Sequence, residues 1–197
     1  MTVPHWSLTL GARAGDAVAR LGWVPPVRST ALAEMQRGVS GNPVPWIEAT
    51  GIEPLSLKQA VATLPANVQE RWFSRLFLLK PLVVSGLAAF WAASGLVALT
   101  IAFGPAAKIL ADHGIPPRLA DLITITTAVL DLIVGPAIAW QRTHRVGLQA
   151  GIALSLAYMA GATVVAPELW IDPLGPLVKT GPAIILMAVA LAIADDR

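Results

Sequence analysis

The residues with the most chemistry to offer lie inside apolar stretches, where ionisable groups are rare. Asp131 stands near the middle of residues 119–140, LADLITITTAVLDLIVGPAIAW, which have the length and apolarity of a helix crossing a hydrocarbon core. A carboxylate at the bilayer centre costs about 2.5 to 3.5 kcal/mol on insertion scales, so Asp131 is expected to face other helices and to be paired or carried uncharged. On the same helix, Thr124 and Thr127 fall within about 40 degrees of Asp131 at 100 degrees per residue, and Gly135 extends that face. Such a seam has two uses. It can carry a proton or pass a small polar solute, or it can be structural, an acid held by hydrogen bonds with threonines bonded to their own helix carbonyls.

Candidate partners for Asp131 follow from depth. At 1.5 Å per residue it lies roughly 18 Å below the start of its helix, and Trp91, Ser155 and Tyr158 come to roughly 18, 17 and 12 Å on theirs, near enough in level to donate to it. Lys179 lies roughly 8 Å down and Asp121 roughly 3 Å down, so Lys179 is expected to pair with Asp121 or to extend outward to the headgroups.

Composition removes other chemistries. The chain has no Cys, and with it go disulfides, CxxC redox motifs and thiolate metal sites. His5, His113 and His144 fall in the tail or in loops and no two share helical spacing, so no metal or haem ligand set is assigned. His144, beside Arg142 and Arg145, reads as a headgroup-facing residue. No GxGxxG follows a strand, and the single tyrosine, Tyr158, has no Lys four residues on, so the dinucleotide fingerprint and the YxxxK pair are both missing. No catalytic residue and no cofactor are assigned, and the chain reads as non-enzymatic. The net charge of +2 comes from basic residues that flank apolar segments rather than from a basic-aromatic patch, which argues against a nucleic-acid partner.

The elements that must position these groups are helical. With 55% hydrophobic and only 13% charged residues, the chain differs from an average soluble domain, in which about 25% are charged. The expected fold is all-α, a four-span transmembrane helical bundle with a short helical cytoplasmic N-terminal region; the partner is the lipid bilayer, and a homo-oligomer is left open. Residues 1–66 form the N-terminal segment and 67–197 the membrane domain, with spans at about 82–103, 119–140, 146–166 and 174–194. Gly104 and Pro105 end the first span, and Gly147, Gly151 and Ser155 at four-residue spacing let a neighbour approach the third closely. Trp72, Trp140 and Trp170 suit the interfaces.

In the N-terminal segment a helix is expected over 6–21, broken by Pro25 and Pro26. A second, capped by Ser29 or Thr30, stops at Gly38. Residues 40–54, SGNPVPWIEATGIEP, read as a loop pinned by Trp46 and Ile47. Ser56 with Gln59 forms a capping box, Pro65 ends that helix, and Asn67 with Glu70 opens an interfacial helix carrying Arg71, Trp72, Phe73, Arg75 and Lys80. No charged region followed by an apolar run marks a cleavable signal peptide at the start. Arg71, Arg75, Lys80, Arg142 and Arg145 on one side, against Lys108 and Arg118 on the other, place both termini in the cytoplasm of a cell whose inner membrane holds the chain.

Two stretches carry a family likeness. Residues 154–197, LSLAYMAGATVVAPELWIDPLGPLVKTGPAIILMAVALAIADDR, resemble the DoxX-like four-span membrane family. Upstream, LGWVPPVRSTALAEMQRGVSG and PWIEATGIEPLSLKQAV are similar to the last soluble segment of proteins in which an NAD-dependent epimerase-type enzyme is fused to a DoxX-like membrane part. The resemblance implies a membrane module that works beside a soluble NAD-dependent oxidoreductase, and association with a quinone or sulfur redox system. Three functions compete: a non-catalytic subunit or anchor of such an enzyme, a small proton- or solute-conducting permease using Asp131, and a quinone-linked membrane enzyme.

Overall fold

A computed structural model describes residues 4–38, 40–64, 67–77, 79–173 and 175–194. The chain divides into two compact units, Met1–Leu76 and Phe77–Arg197.

The first unit is a series of short helices: α1 His5–Arg20, α2 Ser29–Arg37, α3 Val44–Thr50, α4 Leu57–Thr63 and α5 Val68–Phe77. Helix α1 packs on α2 through its small residues. A Cβ on Gly15 would collide with the Val27 carbonyl oxygen, so glycine lets the segment leading into α2 pass close to α1. Neither Ser29 nor Thr30 caps α2 with its side chain. Instead the Asp16 carboxylate of α1 accepts from the Ser29 backbone N–H at 3.3 Å and from the Arg28 guanidinium at 3.4 Å, so the start of α2 is satisfied from another helix. The stretch expected to be a loop holds α3. Its prolines fall at the helix start, where a missing N–H costs nothing, and Gly51 closes it in the left-handed conformation at φ 68°. Trp46, expected to pin this stretch, is 56% exposed.

The capping box of α4 forms as the sequence indicates. Ser56 Oγ accepts from Gln59 N at 3.4 Å and Gln59 Oε1 accepts from Ser56 N at 3.0 Å. Pro65, expected to end α4, lies outside the described residues. Asn67 Oδ1 accepts from Glu70 N at 3.0 Å at the head of α5. Among the described residues of this unit only Ala12 and Gly15 are buried, and that predicts its behaviour. Residues 1–64 expressed alone should be helical yet melt weakly and without cooperativity by circular dichroism, because they bury too little apolar surface to offset chain entropy. A sharp two-state melt would contradict this.

The second unit holds α6 Leu79–Leu99, α7 Phe103–Asp112, α8 Pro117–Ala139, α9 His144–Val165, a 3-10 turn Pro167–Trp170, and α10 Pro176–Ala192. No strand occurs among the described residues. Among the described residues three helices are long and apolar enough to cross a membrane: the one ending at Leu99, α8 and α9. Helix α10 is apolar but has 17 residues, at the short end of the roughly 17 to 25 that span. The ends expected for that span, Leu174 and the acidic tail from Asp195, lie outside the described residues. Helix α6 packs on α8, α8 on α9, α9 on α10, and α10 returns to α6, closing a helical bundle.

Two differences from expectation shape the interior. The first span stops at Leu99 rather than at residue 103, and the supposed loop beyond it is the helix α7, with Gly104 and Pro105 in its first turn, where proline is tolerated. Side chains such as Phe90, Leu122, Ile133, Val146 and Ile185 are 55% exposed or more. Outward apolar faces of that extent suit lipid, not water.

Candidate functional site

The helices meet through glycine. A Cβ on Gly95 of α6 would stand 2.6 Å from the Ala128 carbonyl oxygen and 2.9 Å from the Leu132 nitrogen, and one on Gly135 of α8 would stand 2.9 Å from both the Ala88 oxygen and the Ala92 nitrogen. These reciprocal contacts bring the α6 and α8 backbones together on either side of Asp131. On α9, Gly147 is pressed against Ala137 and Ile138 of α8, and a Cβ on Gly151 would meet Met187 Sδ at 2.8 Å and the Trp91 ring at 3.2 Å. The small residues of the third span thus touch three neighbours.

Within this frame Asp131 is 6% exposed, and both its oxygens accept hydrogen bonds. Ser94 Oγ of α6 donates to Oδ2 at 2.9 Å, and Tyr158 Oη of α9 donates to Oδ1 at 2.9 Å. The same tyrosine hydroxyl also reaches the Thr127 carbonyl oxygen at 3.2 Å. One carboxyl therefore ties three helices. Among the described residues no cation forms an ion pair with it. Thr124 Oγ1 donates to the Ala120 carbonyl at 2.9 Å and Thr127 Oγ1 to those of Ile123 and Thr124 at 2.9 and 3.1 Å. The threonine hydroxyls serve their own helix and leave Asp131 to others.

Depth arithmetic identified Tyr158 but missed Ser94. With Ser94 opposite Asp131 in antiparallel α6 and α8, Leu99 lies level with Thr126, so α8 runs on past the end of α6 by roughly 13 Å, where α7 packs against it. Counting from helix ends assumes level ends. The sequence signal that could have found Ser94 is its neighbour Gly95, whose missing side chain marks where α8 comes closest. Trp91 does not donate to Asp131: it is 3% exposed, its ring lies against Gly151, and its Nε1 has no hydrogen-bond partner among the described residues. Ser155 is buried, and its hydroxyl is not among the donors to the carboxyl.

Lys179 and Asp121 are both exposed and form no ion pair with each other. Helix α10, which carries Lys179, packs on α9 and α6 but makes no extensive contact with α8, which carries Asp121. His144 also departs from expectation. It is 3% exposed, and its Nδ1 donates to the Ile138 carbonyl oxygen at 2.7 Å, while Thr143 Oγ1 donates to that of Ala137 at 2.8 Å. Residues at the start of α9 thus satisfy carbonyls left open at the end of α8 and fasten that hairpin. Among the described residues no three His or acidic side chains gather closely enough to hold a metal ion.

What this geometry can do is hold a buried carboxyl between three helices with a hydrogen bond to each of its oxygens. Compared with known proteins, residues 88–188, which include Ser94, Asp131 and Tyr158, match the family model described as the DoxX-like family. No curated protein and no solved structure matches the chain.

Proposed function

Because the chain belongs to the DoxX-like family, which its match shows over just over half of its 197 residues, we propose that this multi-pass integral membrane protein is a non-catalytic subunit that anchors or assists a soluble NAD-dependent oxidoreductase. The observation that favours this reading over a permease is the hydrogen bonding of Asp131, whose two oxygens are both engaged by hydroxyls of neighbouring helices. A group so engaged joins helices. Transport would ask it to release those partners in each cycle. The membrane module begins at residue 67, with α5 lying in the headgroup layer. Residues 1–66 supply the contact with the enzyme through apolar side chains left uncovered on α1, Trp6 at 71% and Leu10 at 63% exposure.

The orientation in this reading puts both termini in the cytoplasm and the chain in the inner membrane, supported by the Lys and Arg asymmetry of the connections. Reporter fusions at Asp112 and Asp172 should both read external and one at His144 internal; an external His144 reverses the orientation. Purified in mild detergent, the full chain should bring down a soluble protein with nicotinamide-dependent activity, and Trp6→Glu with Leu10→Glu should lose it. If the bound activity is absent from the full chain, or is retained by the charged variant, the anchoring role fails.

A further inference from the structure

We propose that His113 and Glu168 form a proton-dependent latch that fastens the connection between α9 and α10 to the α7–α8 corner. His113 follows α7, and its Nδ1 lies 2.7 Å from the Ile109 carbonyl oxygen, an acceptor only, so this nitrogen carries a hydrogen. The other ring nitrogen, Nε2, lies 2.7 Å from Glu168 Oε1 in the 3-10 turn. With both nitrogens facing acceptors, the contact is complete when the ring carries both protons, as imidazolium. A neutral ring that keeps its bond to Ile109 turns a lone pair toward the Glu168 carboxylate. Loss of one proton therefore converts attraction into repulsion.

The surroundings point the same way. The Ile109 hydrogen bond, the largest effect, raises the His113 pKa above its ordinary value; burial, next in size, opposes it, and the charge and hydrogen bond of Glu168 and the charge of Asp112 add to the rise. The other charged groups on the elements packed at this end are Lys108 on α7, Arg118 and Asp121 on α8, Lys179 on α10, and Asp172 beyond the turn. Among the described residues Glu168 is the acid within ion-pair distance of the ring. Since the value is raised by folding, the stabilisation is fully present below the ordinary histidine range and is lost as pH rises through the raised value. A second tether does not titrate near neutrality: Trp170 Nε1 donates to Thr163 Oγ1 at 3.0 Å. The turn is thus held at one end by a bond indifferent to pH and at the other by one that follows it.

Hydrogen exchange of the full-length protein in nanodiscs tests this, read at the amides of 168–172 at pH 5.5 and 8.5 after correction for intrinsic rates. In wild type these amides should exchange several-fold faster at the higher pH, while His113→Gln and Glu168→Gln should show no such change. The proton resonances of the His113 ring, assigned by their absence from His113→Gln, should titrate above the ordinary histidine range and move back toward it in Glu168→Gln. Equal wild-type protection at both pH values overturns the latch, as does a pH response that persists unchanged in Glu168→Gln.

Discussion

Asp131→Leu should lower thermal stability in detergent sharply, whereas Asp131→Asn should fold nearly as well as wild type. Leucine removes the acceptors for Ser94 and Tyr158, which sit at 2.9 Å on opposite oxygens, and each donor left unpaired in the interior costs about 1 to 3 kcal/mol. The Thr127 carbonyl can retain the tyrosine, which places Tyr158 toward the lower end of that range. Asparagine keeps one acceptor and replaces the other with an amino group that a tyrosine or serine oxygen can accept. Ser94→Ala and Tyr158→Phe, each removing one donor, should fall between them. Melting curves for these variants, measured beside proton flux in liposomes, separate the roles open to this residue. Normal folding of Asp131→Asn with loss of a flux that wild type supports would make ionisation the working property of Asp131 and would end the non-catalytic reading. Equal stability of wild type and the leucine variant would show that the carboxyl joins nothing.

The second large effect is expected at the α6–α8 contact. Gly95→Ala sets a Cβ 2.6 Å from the Ala128 oxygen and 2.9 Å from the Leu132 nitrogen, both backbone atoms that cannot turn aside. The helices must separate, and overpacking of this kind costs about 1 to 3 kcal/mol. Separation also draws Ser94, the adjacent residue, away from Asp131, so Gly95→Ala and Ser94→Ala should be non-additive in a double-mutant cycle. Gly135→Ala should behave like Gly95→Ala, since its Cβ would meet Ala88 and Ala92 backbone atoms at 2.9 Å. Gly86 supplies the control. Nothing lies within 4 Å of a Cβ there, so Gly86→Ala should leave the melting temperature unchanged or raise it slightly through helix propensity, by up to about 1 kcal/mol. A Gly95→Ala variant as stable as Gly86→Ala would mean that α6 and α8 do not approach so closely.

Local pattern and chemistry were sufficient for a good part of this protein. The apolar runs announced the long helices because a bilayer demands about 20 mainly apolar residues in a row, a requirement legible in the sequence. The Ser56 and Gln59 capping box was readable because both partners lie within one turn. The buried carboxyl was readable too: an acid amid such residues has few places to go, and the fourteen-residue span from Pro117 to Leu130 ahead of it sets its depth within α8. Helix α3 was hidden because proline signals a turn in sequence and a helix start in structure, and only the following backbone distinguishes them.

Contacts across the chain were decided by tertiary structure. Ser94 is Asp131's partner because α6 ends early and α7 fills the remaining length of α8, a stagger that no count from helix ends contains. Lys179 misses Asp121 because the bundle orders its helices so that α8 and α10 are not extensively packed, and charge complementarity in sequence carries no information about that order. His144 turns inward, beside two arginines, because the end of α8 leaves carbonyls that need donors. The same holds for Asp16 at the start of α2 and for His113 against Glu168, 55 positions apart. Sequence determined the long apolar helices and the burial of Asp131 within one of them, because those follow from a residue and its near neighbours. Which polar groups meet was set by stagger and packing order, since these depend on close backbone approach between segments distant in the chain.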